Sequence, residues 1–129
     1  MEKEEILIFV YGTLRVGGSH HHLLGESTTI RKEHILDHYC MYSAGWYPVV
    51  VPDSDPDSHH SVVGDVISIH TDLVPKLDVY EGNEFTRKQI ELDGIKEPVW
   101  IYLLKDSEDT DSYTPLESGD WLKEGKSAV

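Results

Sequence analysis

The chain has 129 residues, 39% of them hydrophobic, enough for one domain with its own buried core. Eleven Lys and Arg stand against 24 Asp and Glu, and this formal net charge of −13, with no basic run to override it, excludes nucleic acid and anionic membranes as partners. A single cysteine excludes a disulfide framework and a Cys-rich zinc site, no apolar run approaches the roughly 20 residues of a membrane helix, and the start lacks a secretory signal, so a cytoplasmic protein is expected.

In chain order, Ile6-Leu7-Ile8-Phe9-Val10 is a short continuous apolar run ended by Gly12, the pattern of a strand buried on both faces. Residues 11–18 hold three glycines and read as a loop. Ser19 is placed to cap a short helical turn over residues 20–24, stopped by Gly25. Residues 28–42 read as one long bent strand or two short ones, with Asp37-His38 as the bend. Residues 46–51 are β-prone, and Pro48 there calls for a sheet edge or a bulge. Residues 52–58 form a polar loop, and residues 61–70 read as a strand.

The clearest helix is residues 71–82. Thr71 is placed to cap it, Pro75 sits near its first turn, and Gly82 stops it. Leu73, Val74, Leu77 and Tyr80 make its apolar stripe. Strands at 85–92 and 98–104 follow, joined by an Asp93-Gly94 turn. Residues 105–112 form an acidic loop, Ser118-Gly119-Asp120-Trp121 a turn, and the remainder a tail. Trp46 and Trp100 are expected in the core, and Trp121 at one end of it. No repeat or linker divides the chain, so residues 1–129 are read as a single domain. The fold class expected is α+β: a small mixed, largely antiparallel β-barrel with flanking short helices.

Two segments could carry chemistry. In Val10-Tyr11-Gly12-Thr13-Leu14-Arg15 a buried strand runs into a glycine turn. Its amides, released from the ladder, either hold an anion or belong to an ordinary strand-to-loop turn. The segment lacks the Gly-Lys-Ser/Thr ending of a nucleotide phosphate loop. In Leu77-Asp78-Val79-Tyr80-Glu81-Gly82, Glu81 falls at the carboxyl end of the helix. If buried there, its pKa rises into the range of a general acid–base; if exposed, it is one more surface glutamate. His20-His21-His22 cannot share one helix face and do not read as a metal site. His59 and His60 lie in a polar stretch facing solvent, and Cys40, between Tyr39 and Tyr42, reads as a small packing residue.

Taken together, Phe9-Val10-Tyr11-Gly12-Thr13-Leu14-Arg15, Leu77-Asp78-Val79-Tyr80-Glu81-Gly82 and Phe85-Thr86-Arg87 resemble, in order and spacing, the two signatures of the γ-glutamylcyclotransferase-like superfamily. His22-Leu23-Leu24, Gly64 and Ser118-Gly119-Asp120-Trp121 extend the resemblance over nearly the whole chain. The resemblance implies a small mixed β-barrel and an enzyme, of the γ-glutamylamine cyclotransferase branch, that acts on a small-molecule γ-glutamyl substrate. Such an enzyme closes the glutamyl α-amine onto the γ-carbonyl and releases 5-oxoproline and a free amine or amino acid. It further implies that Tyr11, Gly12, Thr13 and Leu14 hold the glutamyl group, that Glu81 is the catalytic acid–base, and that no cofactor or metal is required. Phe85 departs from the pattern, which often has Tyr there. Two other readings use the same residues: a non-catalytic module binding a small metabolite or a protein, and a hydrolase releasing glutamate. No oligomeric state is assigned by the residues.

Overall fold

A computed structural model describes residues 4–18, 20–25, 27–45, 47–55, 57, 59–105 and 110–124. The expected cap Ser19, the expected core residue Trp46, parts of the loops at 52–58 and 105–112, and the tail beyond residue 124 lie outside the described residues.

The apolar run near the start forms β1 (Glu5–Val10). It is central: antiparallel to β5 (Ser61–His70) on one side and parallel to β7 (Val99–Leu104) on the other. Ile8 and Val10 enter one apolar cluster and Phe9 the other, so both faces of the strand are buried, as its unbroken apolar run requires. The sheet is completed by β2 (Thr28–Asp37) beside β5 and β6 (Phe85–Ile90) beside β7, in the order β2-β5-β1-β7-β6.

The bend expected at residues 37 and 38 is present. His38 takes a positive φ of 70°, and the chain leaves the first sheet for β3 (Tyr39–Ser43). β3 pairs antiparallel with β4 (Pro48–Pro52) and with a two-residue strand, β8 (Thr114–Pro115), which sequence patterning did not anticipate. Pro48 and Pro52 bound β4 at the edge of this second sheet, where their missing N–H groups cost no ladder bond. The architecture is therefore mixed α+β and largely antiparallel, as expected. Its strands group into a five-stranded and a three-stranded sheet, and no pairing among the described residues closes them into a barrel.

Two local expectations are corrected. Thr71 does not cap the helix with its side chain; residues Thr71–Leu73 make a tight 3-10 turn that leads into α1 (Val74–Glu81) with Pro75 in its first turn. Trp100 is only partly buried rather than a core residue, and the Arg87 guanidinium lies 4.7 Å from its ring centroid in a cation–π contact. Trp121 opens a short final helix, α2 (Trp121–Glu124), and is buried in the cluster that contains Phe9. No helix among the described residues is long and apolar enough to cross a membrane.

Candidate active site

At the carboxyl end of β1 the chain turns out of the sheet through Gly12. Arg15 N donates to the Gly12 carbonyl (3.1 Å), His20 N to the Thr13 carbonyl (2.9 Å), and the His21 ring bonds the Leu14 carbonyl through Nδ1 (2.8 Å). The loop's carbonyls are thus turned inward to protein partners. No described carbonyl outside the strands and helices takes the amide of Gly12, Thr13 or Leu14. Two of the three consecutive histidines, His20 and His21, thus hold this loop.

The loop is anchored from beneath by buried charge. Asp65, 1% exposed on β5, accepts from Val16 N (2.8 Å) and Glu33 N (3.0 Å) and lies 3.6 Å from Arg15 Nε. Arg15, 3% exposed, also donates through Nη1 to Asp120 (2.8 Å), tying the loop to the turn before α2.

Glu81 is the last residue of α1. Gly82 ends the helix at a φ of 91°, a conformation that favours glycine, and donates its N–H to the Asp78 carbonyl (3.1 Å). Burial raises the Glu81 pKa from 4.5 to about 7. A relay of polar contacts fixes the helix on the sheet: Asp78 accepts from the Tyr102 hydroxyl (2.6 Å) and from Arg87 Nε (3.1 Å). These bonds hold the Asp78 carboxyl below its usual range, the Arg87 contact contributing most.

The two segments meet in a cavity of about 300 Å³, whose wall includes Tyr11, Gly12, Thr13, Leu14 and Glu81. Thr13 Oγ1 and the Tyr80 hydroxyl bond across it at 2.8 Å, loop to helix. Tyr11 is buried and donates its hydroxyl to the Tyr102 carbonyl. Burial, and secondarily the charge of Glu81, holds the phenol protonated. Phe85 also lines the cavity, with its ring edge-on to Tyr47 at 6.1 Å between centroids. Its position is that of packing.

Residue-by-residue reading missed part of the wall. Tyr47 donates to both carboxylate oxygens of Glu84 (3.1 and 2.9 Å), and Tyr80, Tyr102 and Glu84 all face the same cavity. Tyr80 adjoins Glu81 in the chain and could have been inferred from it, and Glu84, three positions along, is the next carboxylate that residue order itself offers. Tyr47, just before β4, and Tyr102, in β7, are distant from Glu81 in the chain and carry no local signal.

A family model described as gamma-glutamyl cyclotransferase, AIG2-like, matches residues 8–123. The gamma-glutamylcyclotransferase family protein YtfP of Escherichia coli K12 is 31% identical over 121 residues, spanning 92% of this chain and 98% of its own. A gamma-glutamylaminecyclotransferase of Bos taurus is 28% identical over 105 residues, covering 74% of this chain and 62% of its own. The solution structure of E. coli YtfP superposes with a TM-score of 0.70 at 30% identity, over 93% of this chain and 99% of that one.

Proposed function

Because the chain belongs to the AIG2-like gamma-glutamyl cyclotransferase family, we propose that it cyclises a γ-glutamyl compound to 5-oxoproline and a free amine. The observation that carries the reading is the meeting, in one cavity, of a carboxyl whose pKa is raised by burial to about 7 and the glycine turn of residues 11–14.

The glutamyl α-ammonium loses a proton to Glu81, and the freed amine attacks the γ-carbonyl. Nucleophile and electrophile belong to one molecule, so the pocket's task is to hold the conformer in which they meet. The new C–N bond closes a five-membered lactam. As the old amide C–N bond breaks, Glu81 returns its proton to the leaving nitrogen, and the second proton of the new ring nitrogen passes to the departing amine, which leaves as an ammonium ion beside a neutral lactam. The amides of residues 12–14 bind the substrate carboxylate or the oxyanion that develops on the γ-carbonyl. A carboxyl with a pKa near 7 suits both halves of this cycle, since it accepts and releases a proton at little cost.

The composition of the wall favours an amine over an amino acid as leaving group. Glu81 and Glu84 line the cavity, and no Lys, Arg or His joins them among the described residues. A departing amino acid brings its own carboxylate into that field with no cation to meet it, whereas an amine does not.

The test is a product assay over a panel of γ-glutamyl amines and γ-glutamyl amino acids. We expect 5-oxoproline, formed faster from the amines. Release of glutamate instead identifies a hydrolase and overturns the mechanism. Saturable binding of these compounds with no product formed identifies a binding module.

A further inference from the structure

We propose that Cys40, Asp53 and His60 form a site for a divalent transition-metal ion of the zinc class, apart from the cavity and at the seam between the two sheets. The site lies outside the proposed reaction and stands or falls independently of it.

The three residues come from separate elements. Cys40 is in β3 opposite Val51, Asp53 follows the end of β4, and His60 immediately precedes β5. The main chains of Asp53 and His60 are fastened to one residue, His38 in the turn between the sheets. His38 N donates to the His60 carbonyl (3.0 Å), and Asp53 N donates to the His38 carbonyl (2.8 Å). Both ends of the 53–60 segment are thereby clamped beside Cys40 by backbone bonds, whatever the side chains do.

The donor atoms of the three side chains all lie within 4.8 Å of one another. Tetrahedral zinc, with sulfur at 2.3 Å and nitrogen or oxygen near 2.0–2.1 Å, sets its donors roughly 3.3–3.6 Å apart. Two of the donors, His60 Nδ1 and an Asp53 carboxylate oxygen, already lie 2.9 Å apart in a hydrogen bond that a bound ion would replace. A thiolate, an imidazole and one carboxylate make a borderline-soft set. It suits zinc and its neighbours rather than calcium or magnesium, which require oxygen cages.

The surroundings ask for a cation. The carboxylates of Asp53 and Glu117 lie beside Cys40 and His60, and a divalent ion bound among them would displace the thiol proton. Glu117 flanks the site, with an oxygen 3.9 Å from His60 Nε2. The His60 side chain is 48% exposed, so an ion can enter directly from solvent. Bound there, it would link β3, the end of β4 and the start of β5, pinning the smaller sheet to the larger.

The experiment titrates metal-free protein with Co²⁺. We expect one ion per chain, a thiolate-to-cobalt charge-transfer band in the near ultraviolet, the intense visible bands of a four-coordinate ion, and displacement by Zn²⁺ with a rise in Tm. Cys40→Ser should abolish the charge-transfer band and weaken Co²⁺ binding roughly a hundredfold or more, beyond the usual effect of losing a group that only supports a ligand. His60→Ala, at a half-exposed position, should keep the far-ultraviolet circular dichroism of the parent and also weaken binding. It carries the test if Cys40→Ser does not fold. Saturation without a charge-transfer band, or Co²⁺ bound as tightly by His60→Ala as by the parent, overturns the proposal.

Discussion

At the scale of the residue, Glu81 couples activity to stability in opposite directions. Its pKa is about 7 in the folded protein and near 4.5 when burial is removed, so the native state binds its proton more tightly. Its contribution to stability is complete below about pH 4.5, declines as pH rises, and is lost above about pH 7. Glu81→Gln stays neutral throughout. It should unfold at a higher temperature than the parent at about pH 8, with the gap narrowing on acidification, while turnover falls roughly a hundredfold or more. Unfolding scans at several pH values and a 5-oxoproline assay on one preparation check both arms. The parent's turnover should rise with pH through about 7 as the carboxylate forms.

Gly12 is needed for a different reason from the one glycine turns usually suggest. Its φ is not positive; instead, a β-carbon there would lie 2.9 Å from Cγ and 3.1 Å from Cδ of Pro48, a stiff ring in the cavity wall. Gly12→Val should therefore displace the 12–14 loop and lower kcat/KM by about tenfold or more, through a misplaced substrate. Unchanged kcat/KM contradicts the loop's assigned role.

At the scale of the element, the loop after β1 owes its place to charges buried under it. Arg15 reaches Asp65 on β5 and Asp120 before α2, and Asp65 in turn holds two main-chain amides. Removing one member leaves the others buried without compensation. Arg15→Ala should cost about 3–5 kcal/mol in urea unfolding, several times the effect of breaking an exposed pair. A loss below about 1 kcal/mol would mean that water replaces the guanidinium. Helix α1 is tethered differently, by the partly exposed Asp78–Arg87 pair and the Tyr102 hydroxyl, which orient Glu81 more than they stabilise the fold.

At the scale of the whole molecule, a net charge of −13 repels polyanions. We expect no retention of DNA or RNA by the protein at physiological salt in a filter or gel-shift assay. Retention that weakens steeply with added salt would reveal a basic surface patch. The same acidic excess would favour cations, among them the proposed metal ion at the sheet seam and the proposed amine leaving group.

Much of this was legible in residue order alone. The double-sided burial of β1 follows from an unbroken apolar run, the bend at residues 37 and 38 from local turn chemistry, and the edge position of β4 from prolines that cannot donate. Each is a property of a few adjacent side chains and the backbone they constrain, and the family resemblance rests on equally local signatures. Tertiary structure alone decided what depends on distance through space. The parallel pairing of β1 with β7 joins segments about 90 residues apart, and the grouping of strands into a five-stranded and a three-stranded sheet depends on partners no window contains. The burial that raises the Glu81 pKa, the Tyr47–Glu84 pair in the cavity wall, and the gathering of Cys40, Asp53 and His60 have the same origin. Desolvation and donor geometry are set by neighbours from other strands, and a linear pattern does not encode which strands those are.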